Sequence, residues 1–259
     1  MMPQPEQEPT PNPRQQAILR LVAEQGFATI EALARRFGIS AQTARRDIIQ
    51  LSQAGLLQRF HGGAGPVGAV RLGYAEKRER QPEAKSRIGA ALAALLPPRQ
   101  SLFLDVGTTV EAAAVALAGR GGDRIFTNSM VAALAFARTE HPAVHVLPGR
   151  LGGGDGSLVG GETASAVANL ALDVAVIACS GFDAAGAPMD FDPEKVAIKR
   201  AAMAAARMTI LLCHAEKFSR GALIRIAPAQ SFRTLLCDSP PPEPLRQALE
   251  EAGVEVRPA

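Results

Sequence analysis

Only three cysteines, Cys179, Cys213 and Cys237, occur in the 259 residues, and no two form a CxxC pair. That excludes a disulfide scaffold and a cysteine-rich zinc site, and leaves reduced thiols at the ends of apolar runs, where burial is the expectation. No apolar run reaches 18 residues and no N-terminal segment reads as a signal peptide, so the chain is expected to be cytoplasmic, with no membrane partner. Ser180-Gly181 lacks the Gly-x-Ser-x-Gly elbow, which removes the hydrolase signal. His141 and His145 stand four apart, but Pro142 and the Val-His-Val alternation put them on a turn and a strand, so no metal site is expected. No internal repeat is present, and nothing in the sequence calls for a cofactor. What remains is 47% hydrophobic and 20% charged, a composition that suits a soluble chain of one or two domains.

Positive charge is concentrated at one end. Residues 14–90 carry 13 Lys/Arg against 6 Asp/Glu, whereas residues 91–259 carry 15 against 17. A basic first third on a near-neutral remainder points to a polyanionic partner for that third. Residues 1–13 hold five prolines and no periodic apolar pattern, which predicts a disordered tail.

From Arg14 a helix is predicted, with Ile18, Leu19 and Val22 inward, then a second over residues 31–37. Gly38-Ile39-Ser40 makes a tight turn into a third helix, N-capped by Ser40, with Ala41, Ala44, Ile48 and Leu51 on one face. Gln42, Thr43, Arg45 and Arg46 project elsewhere from its N-terminal half. That is the half a recognition helix pushes into the major groove, where Arg reads guanine and Gln reads adenine. Gly55 stops this helix, and residues 56–63 alternate like a short hairpin, a wing whose Arg59 and His61 are placed to meet phosphate. With Ser-x-x-Thr-x-Arg-Arg-Asp starting at Ser40, and with His61-Gly62-Gly63, this stretch resembles the N-terminal domain of DeoR-type bacterial transcriptional regulators. The expected organisation is a winged helix-turn-helix over residues 14–66, a linker over 67–84 that is rich in Gly and charge, and an α/β domain over 85–259.

In the second domain, strand candidates at 102–106, 124–127, 144–147, 174–178, 209–213, 235–237 and 254–256 alternate with helical stretches, which argues for a mostly parallel sheet. Such sheets bind ligands outside the carboxyl ends of their strands. Three polar clusters stand at those ends. Asp105, Gly107, Thr108 and Thr109 open a helix in a way that suits a phosphate. Thr127-Asn128-Ser129 repeats the arrangement, and Lys217 follows a third strand as a cation. The family resemblance extends over this domain too, through Asp-x-Gly-Thr-Thr, Thr-Asn-Ser, Ser157 to Gly160, Asp192-x-Glu194 to Lys199-Arg200, and Lys217-Phe218. It implies a sensor domain similar to sugar-phosphate isomerases, in which Asp105, Asp190, Glu194, Lys199 and Lys217 contribute to an effector site. Pro148-Gly149-Arg150, Met189-Asp190 and His214 depart from the family pattern.

The expectation is therefore a transcriptional repressor of a sugar-catabolic operon, not an enzyme. Its partners would be a double-stranded DNA operator, a phosphorylated sugar and further copies of itself. The rival is a sugar-phosphate isomerase or deaminase using Asp105, Asp183, Asp190, Asp192 and Glu194 for proton transfer. No histidine accompanies the stretch from Asp183 to Asp192, and a DNA-reading domain has no purpose in a metabolic enzyme.

Overall fold

Asn12 and Gln15 open the first helix with a reciprocal cap. The Gln15 N–H donates to Asn12 Oδ1 at 2.9 Å, and the Asn12 N–H donates to Gln15 Oε1 at 3.1 Å. The computed structural model describes residues 11–25, 28–60, 63–65, 74–137, 139 and 143–259. It divides into two units, residues 1–71 and 72–259. No helix among the described residues is long and apolar enough to cross a membrane.

In the first unit, α1 (Pro13–Gln25), β1 (Ala28–Thr29), α2 (Ile30–Phe37) and α3 (Ala41–Gln53) are followed by β2 (Gln58–Phe60) and β3 (Gly63–Gly65). The strands form a small antiparallel sheet in the order β1-β3-β2. Ile18, Leu21, Val22, Leu33, Ala44, Ile48, Leu51 and Leu57 make its core. Gly38, at φ +62°, takes the left-handed turn between α2 and α3 that a side chain would strain. Gly55 ends α3 in a left-handed cap, the Leu56 N–H donating back to the Leu51 carbonyl at 2.9 Å. The predicted inward face of α3 differs at one end: Ala41, in the first turn, is exposed, and the buried set is Ala44, Asp47, Ile48 and Leu51.

The second unit begins with α4 (Tyr74–Glu79) and α5 (Pro82–Leu95), both starting within the stretch that composition reads as linker. Then follow β4 (Ser101–Leu104), α6 (Thr108–Ala118), β5 (Arg124–Thr127), α7 (Met130–Phe136), β6 (Val144–Val146), β7 (Arg150–Leu151), β8 (Leu158–Val159) and α8 (Gly161–Ala168). The chain continues through β9 (Leu172–Ala178), β10 (Gly181–Phe182), β11 (Pro188–Asp190), α9 (Pro193–Ala205) and β12 (Ala206–Cys213). It ends with β13 (Ile224–Arg225), β14 (Thr234–Cys237), α10 (Glu243–Glu251) and β15 (Glu255–Pro258).

Seven of these strands form one parallel sheet in the order β15-β14-β12-β9-β4-β5-β6. Side-chain alternation splits its core in two. Val174 and Val176 of β9 face one layer with Leu102, Leu104, Ile210 and Leu212, whereas Ala175 and Ile177 face the other with Phe103, Leu211 and Leu235. From β4 the chain winds outward through β5 and β6, then returns to β9 and winds the other way. The strand order therefore reverses between β4 and β9, and it is at the carboxyl ends of such a reversal that open α/β sheets bind ligands.

Candidate functional sites

The first surface is the N-terminal half of α3. Ser40 caps it, its Oγ accepting from the Thr43 N–H at 3.1 Å and standing 2.9 Å from the Thr43 hydroxyl. Gln42, Arg45 and Arg46 are exposed, with an Arg45 Nη1–H donating to Gln42 Oε1 at 3.3 Å. Arg59 is exposed on β2; His61 lies outside the described residues. The Asp of Arg-Arg-Asp has a different task. Asp47 is buried, and the Arg14 guanidinium grips it with two hydrogen bonds of 2.7 and 3.0 Å. Gln15 adds an amide contact of 3.3 Å to Asp47 and one of 2.7 Å to Gln50. A forked guanidinium–carboxylate pair fixes angle as well as distance. It sets the rotation of α3 on α1, which turns Arg45 and Arg46 outward.

The second surface lies at the β4–β9 reversal. Asp105, just past β4, is buried, and one carboxylate oxygen accepts from the Ala178 N–H at 3.0 Å and from the Lys199 ammonium. Lys199, also buried, reaches the Ala178 carbonyl at 2.9 Å and lies 3.3 Å from the Asp190 carboxylate. Burial works against the Lys199 charge, but Asp105 and Asp190 outweigh it and hold the amine protonated above its ordinary range. Burial likewise pushes Asp190 up, and Lys199 with the Phe191 N–H more than reverses this, so that carboxyl stays below its usual range. Gly107 sits at φ +126° before α6, where a side chain would be strained. Thr108 donates to the Lys77 carbonyl at 3.4 Å.

Thr127, Asn128 and Ser129 stand alongside. The Thr127 hydroxyl donates to the Leu104 carbonyl at 2.7 Å and accepts from the Ser129 N–H at 3.0 Å, while Ser129 caps α7 through the Ala132 N–H. Those bonds commit both hydroxyls to holding the loop. The Asn128 amide donates to the Leu158 carbonyl at 3.0 Å. Asp105 Oδ1, the Thr109 hydroxyl and Asn128 Oδ1 are buried without a hydrogen-bond partner, although such groups are normally satisfied.

Two lysines complete the rim: Lys217, expected from the sequence, and Lys85, which the sequence did not single out. Lys217 donates to the Cys179 carbonyl at 2.7 Å. Lys85, buried, donates to the backbone carbonyls of Lys77 and Arg80, which ties α4 down. Burial and Lys217 lower its pKa. Beside them His214 is buried with Nδ1 unpartnered, and burial, Lys217 and Lys85 bring its pKa down to about 3. Across the site, Asp155 pairs with Lys195 and accepts from the Ser157 hydroxyl at 2.7 Å. Glu194 pairs with Arg150, the residue that departs from the family pattern. No group of three His, Cys, Asp or Glu side chains among the described residues is arranged to hold a metal ion. His145 stacks on Phe126 with ring centroids 4.8 Å apart, and His141 lies outside the described residues.

Two family models match. The DeoR-like helix-turn-helix domain covers residues 14–67, and the DeoR C terminal sensor domain covers residues 80–239. The glycerol-3-phosphate regulon repressor of Escherichia coli (strain K12) is 32% identical over 94% of this chain and 97% of its own length. The HTH-type transcriptional repressor CsqR of the same organism is 35% identical over 95% of each chain. Among solved structures, ribose 5-phosphate isomerase A from Methanocaldococcus jannaschii overlays 54% of this chain and 55% of its own, with a TM-score of 0.40 and 11% identity.

Proposed function

The chain belongs to the DeoR family and is a DNA-binding transcriptional repressor, not an enzyme, and from that premise we propose that a small phosphorylated sugar or polyol in the β4–β9 crevice controls its hold on DNA. The observation that carries this reading is the trio of unpartnered buried groups on Asp105, Thr109 and Asn128, beside cationic Lys217. A ligand with a dianionic end and several hydroxyls supplies what those groups need. Its phosphate takes the N–H groups of Gly107, Thr108 and Thr109 at the start of α6, together with Lys217. Its hydroxyls take Asp105, Asp190 and Asn128. Thr127 and Ser129 hold the Asn128 loop, Lys199 positions the two aspartates, and Glu194 closes the wall through Arg150. A relative named for glycerol-3-phosphate puts that compound first in the panel to be tested.

In this reading residues 14–66 read DNA, residues 85–259 sense the ligand, and residues 67–84 join them in a cytoplasmic protein. Gln42, Thr43, Arg45 and Arg46 meet base edges, with Ser40 shaping the entry turn, while Arg59 and His61 meet phosphate. A single winged domain of this size reads one half-site, so at least two copies act together. Arg46→Ala is expected to cost about 1–3 kcal/mol on the specific operator, whereas Arg59→Ala should weaken all sequences alike and flatten the salt slope by about one unit. Fluorescence anisotropy on operator and scrambled duplexes separates the two; equal operator binding by wild type and the Arg45/Arg46 double alanine would sink the groove assignment. For the ligand, Lys217→Ala removes a charge-assisted contact of about 1.5–3 kcal/mol, so calorimetry should show roughly ten- to a hundredfold weaker binding. Unchanged affinity would put the phosphate elsewhere.

A further inference from the structure

Helix α4 has six residues, Tyr74-Ala75-Glu76-Lys77-Arg78-Glu79, and none of them is buried. A helix this short does not persist on its own propensity, and without a buried apolar face it gains little from packing. Polar bonds to the residues of the crevice hold it instead. The Tyr74 hydroxyl donates at 2.9 Å to Glu111, in the first turn of α6, and the Thr108 hydroxyl donates to the Lys77 carbonyl at 3.4 Å. The Lys85 ammonium, on α5, donates to the carbonyls of both Lys77 and Arg80. Between the two helices Gln81 takes a left-handed conformation at φ +51°, just before Pro82 opens α5. A residue with a side chain is strained there and stays only while neighbouring contacts hold it. Segments tethered in this way lie at the low end of local stability, from which moving parts are drawn.

The same tethers are groups that a phosphate needs. Thr108 begins α6, where the phosphate of the ligand is placed. Burial and then the charge of Lys217 lower the Lys85 pKa, so the two ammoniums are near enough to repel. Among the described residues neither lysine is in an ion pair, and both donate to backbone carbonyls. A carbonyl offers an ammonium only a dipole, whereas a phosphate offers full negative charge. The other side of α4 also reaches the crevice: burial opposes the Asp190 charge, while Lys199 and, more weakly, Lys77 favour it.

We propose that α4 is a strap which the ligand displaces: the phosphate takes the Lys85 ammonium and the Thr108 hydroxyl from the α4 carbonyls, and the freed helix turns about Gln81. Displacement presupposes the phosphorylated ligand proposed above and supplies the step by which its arrival is felt. In chain order α4 is the first described element after the DNA-reading unit. Its release therefore changes the segment through which the two units are joined. The closed strap also sets the affinity, because ligand binding has to overcome it.

Hydrogen exchange read by mass spectrometry on the full-length chain tests the displacement, with inorganic phosphate and glycerol 3-phosphate as the probes at millimolar concentration. Binding should slow the amides of residues 107–109 and speed those of residues 78–80 at least about tenfold. Slowing at 107–109 with no change at 78–80 would overturn the strap and leave the phosphate site standing. No slowing at 107–109 with either probe would overturn the phosphate site and the strap with it. Tyr74→Phe gives a second measurement, since it removes one tether and touches no residue assigned to the ligand. Calorimetry should find both probes bound roughly three- to tenfold more tightly by this variant, whereas damage to the fold would weaken them. Unchanged or weaker binding, in a variant whose β9 amides stay protected, would overturn the competition. On the operator and without ligand, Tyr74→Phe should shift affinity in the direction that ligand shifts the wild type; no shift, or one of opposite sign, would overturn the link to DNA.

Discussion

Lys199→Met is expected to destabilise the α/β unit by about 3–5 kcal/mol, the cost of leaving buried charge without its partner. The ammonium is shared by Asp105, Asp190 and the Ala178 carbonyl, and both Lys199 and Asp105 are buried. Methionine fills a similar volume, so packing changes little and the loss is electrostatic. Asp105→Asn combined with Lys199→Met removes one carboxylate along with the cation and should recover part of the loss. The chain offers a convenient reporter: it has no tryptophan, and its one tyrosine, Tyr74, lies in α4, where its hydroxyl donates to Glu111 at 2.9 Å. Urea titration followed by tyrosine emission therefore reads the α/β unit. A loss below about 1 kcal/mol, the range of an exposed pair, would mean that the crevice is wet and the pair is screened.

Acid should weaken the same unit through His214. Its pKa is about 3 in the folded chain, against about 6.5 for the unfolded chain. Folded His214 stays neutral while the unfolded residue takes up a proton, so between pH 6.5 and 3 the unfolded state binds more protons. Stability then falls as pH falls through that window, by up to about 1.4 kcal/mol per unit, or roughly 2–3 kcal/mol by pH 4.5. Asp155 and Asp190 are held below the usual carboxylate range and lose their contribution through and below their ordinary value, whereas burial raises Asp105 and Glu111, which act in the opposite direction, so the His214 contribution is read as the difference between wild type and variant. His214→Gln should remove most of this slope. Parallel urea midpoints at pH 7 and pH 4.5 decide the matter, and identical slopes for wild type and variant would contradict the burial of His214 against two lysines.

The major elements were legible where one local pattern dictated them. Continuous apolar runs gave strands such as 174–178 within β9, and Ser40 with its following residues gave the start of α3. The crevice was legible as polar residues just past strand ends, because in a parallel sheet all carboxyl ends share one edge. Four features were not. Asp47 looks like part of a basic motif, and only the packing of α1 on α3 shows that it faces Arg14, 33 residues away. Lys199 and Asp105 are 94 residues apart, so nothing local marks them as a pair. Residues 74–79 read as linker because their composition is charged, yet the chain there is helical and held by the buried Lys85 amine through backbone carbonyls, which leave no trace in side-chain pattern. Thr127 and Ser129 were read with Asn128 as one polar cluster; their hydroxyls are committed to the loop, while Asn128 keeps an unpartnered oxygen.

Operator binding by the wild-type protein, measured by anisotropy with and without each phosphorylated compound in a panel headed by glycerol 3-phosphate, tests the link between crevice and DNA most directly. Coupling between two sites is typically about 1–3 kcal/mol, so one compound should shift operator affinity several-fold or more, and its unphosphorylated counterpart should not. Lys217→Ala should keep the ligand-free operator affinity and need a higher concentration of the same compound for the same shift. Operator affinity indifferent to every phosphorylated compound, in a protein that binds the operator specifically, would contradict the account.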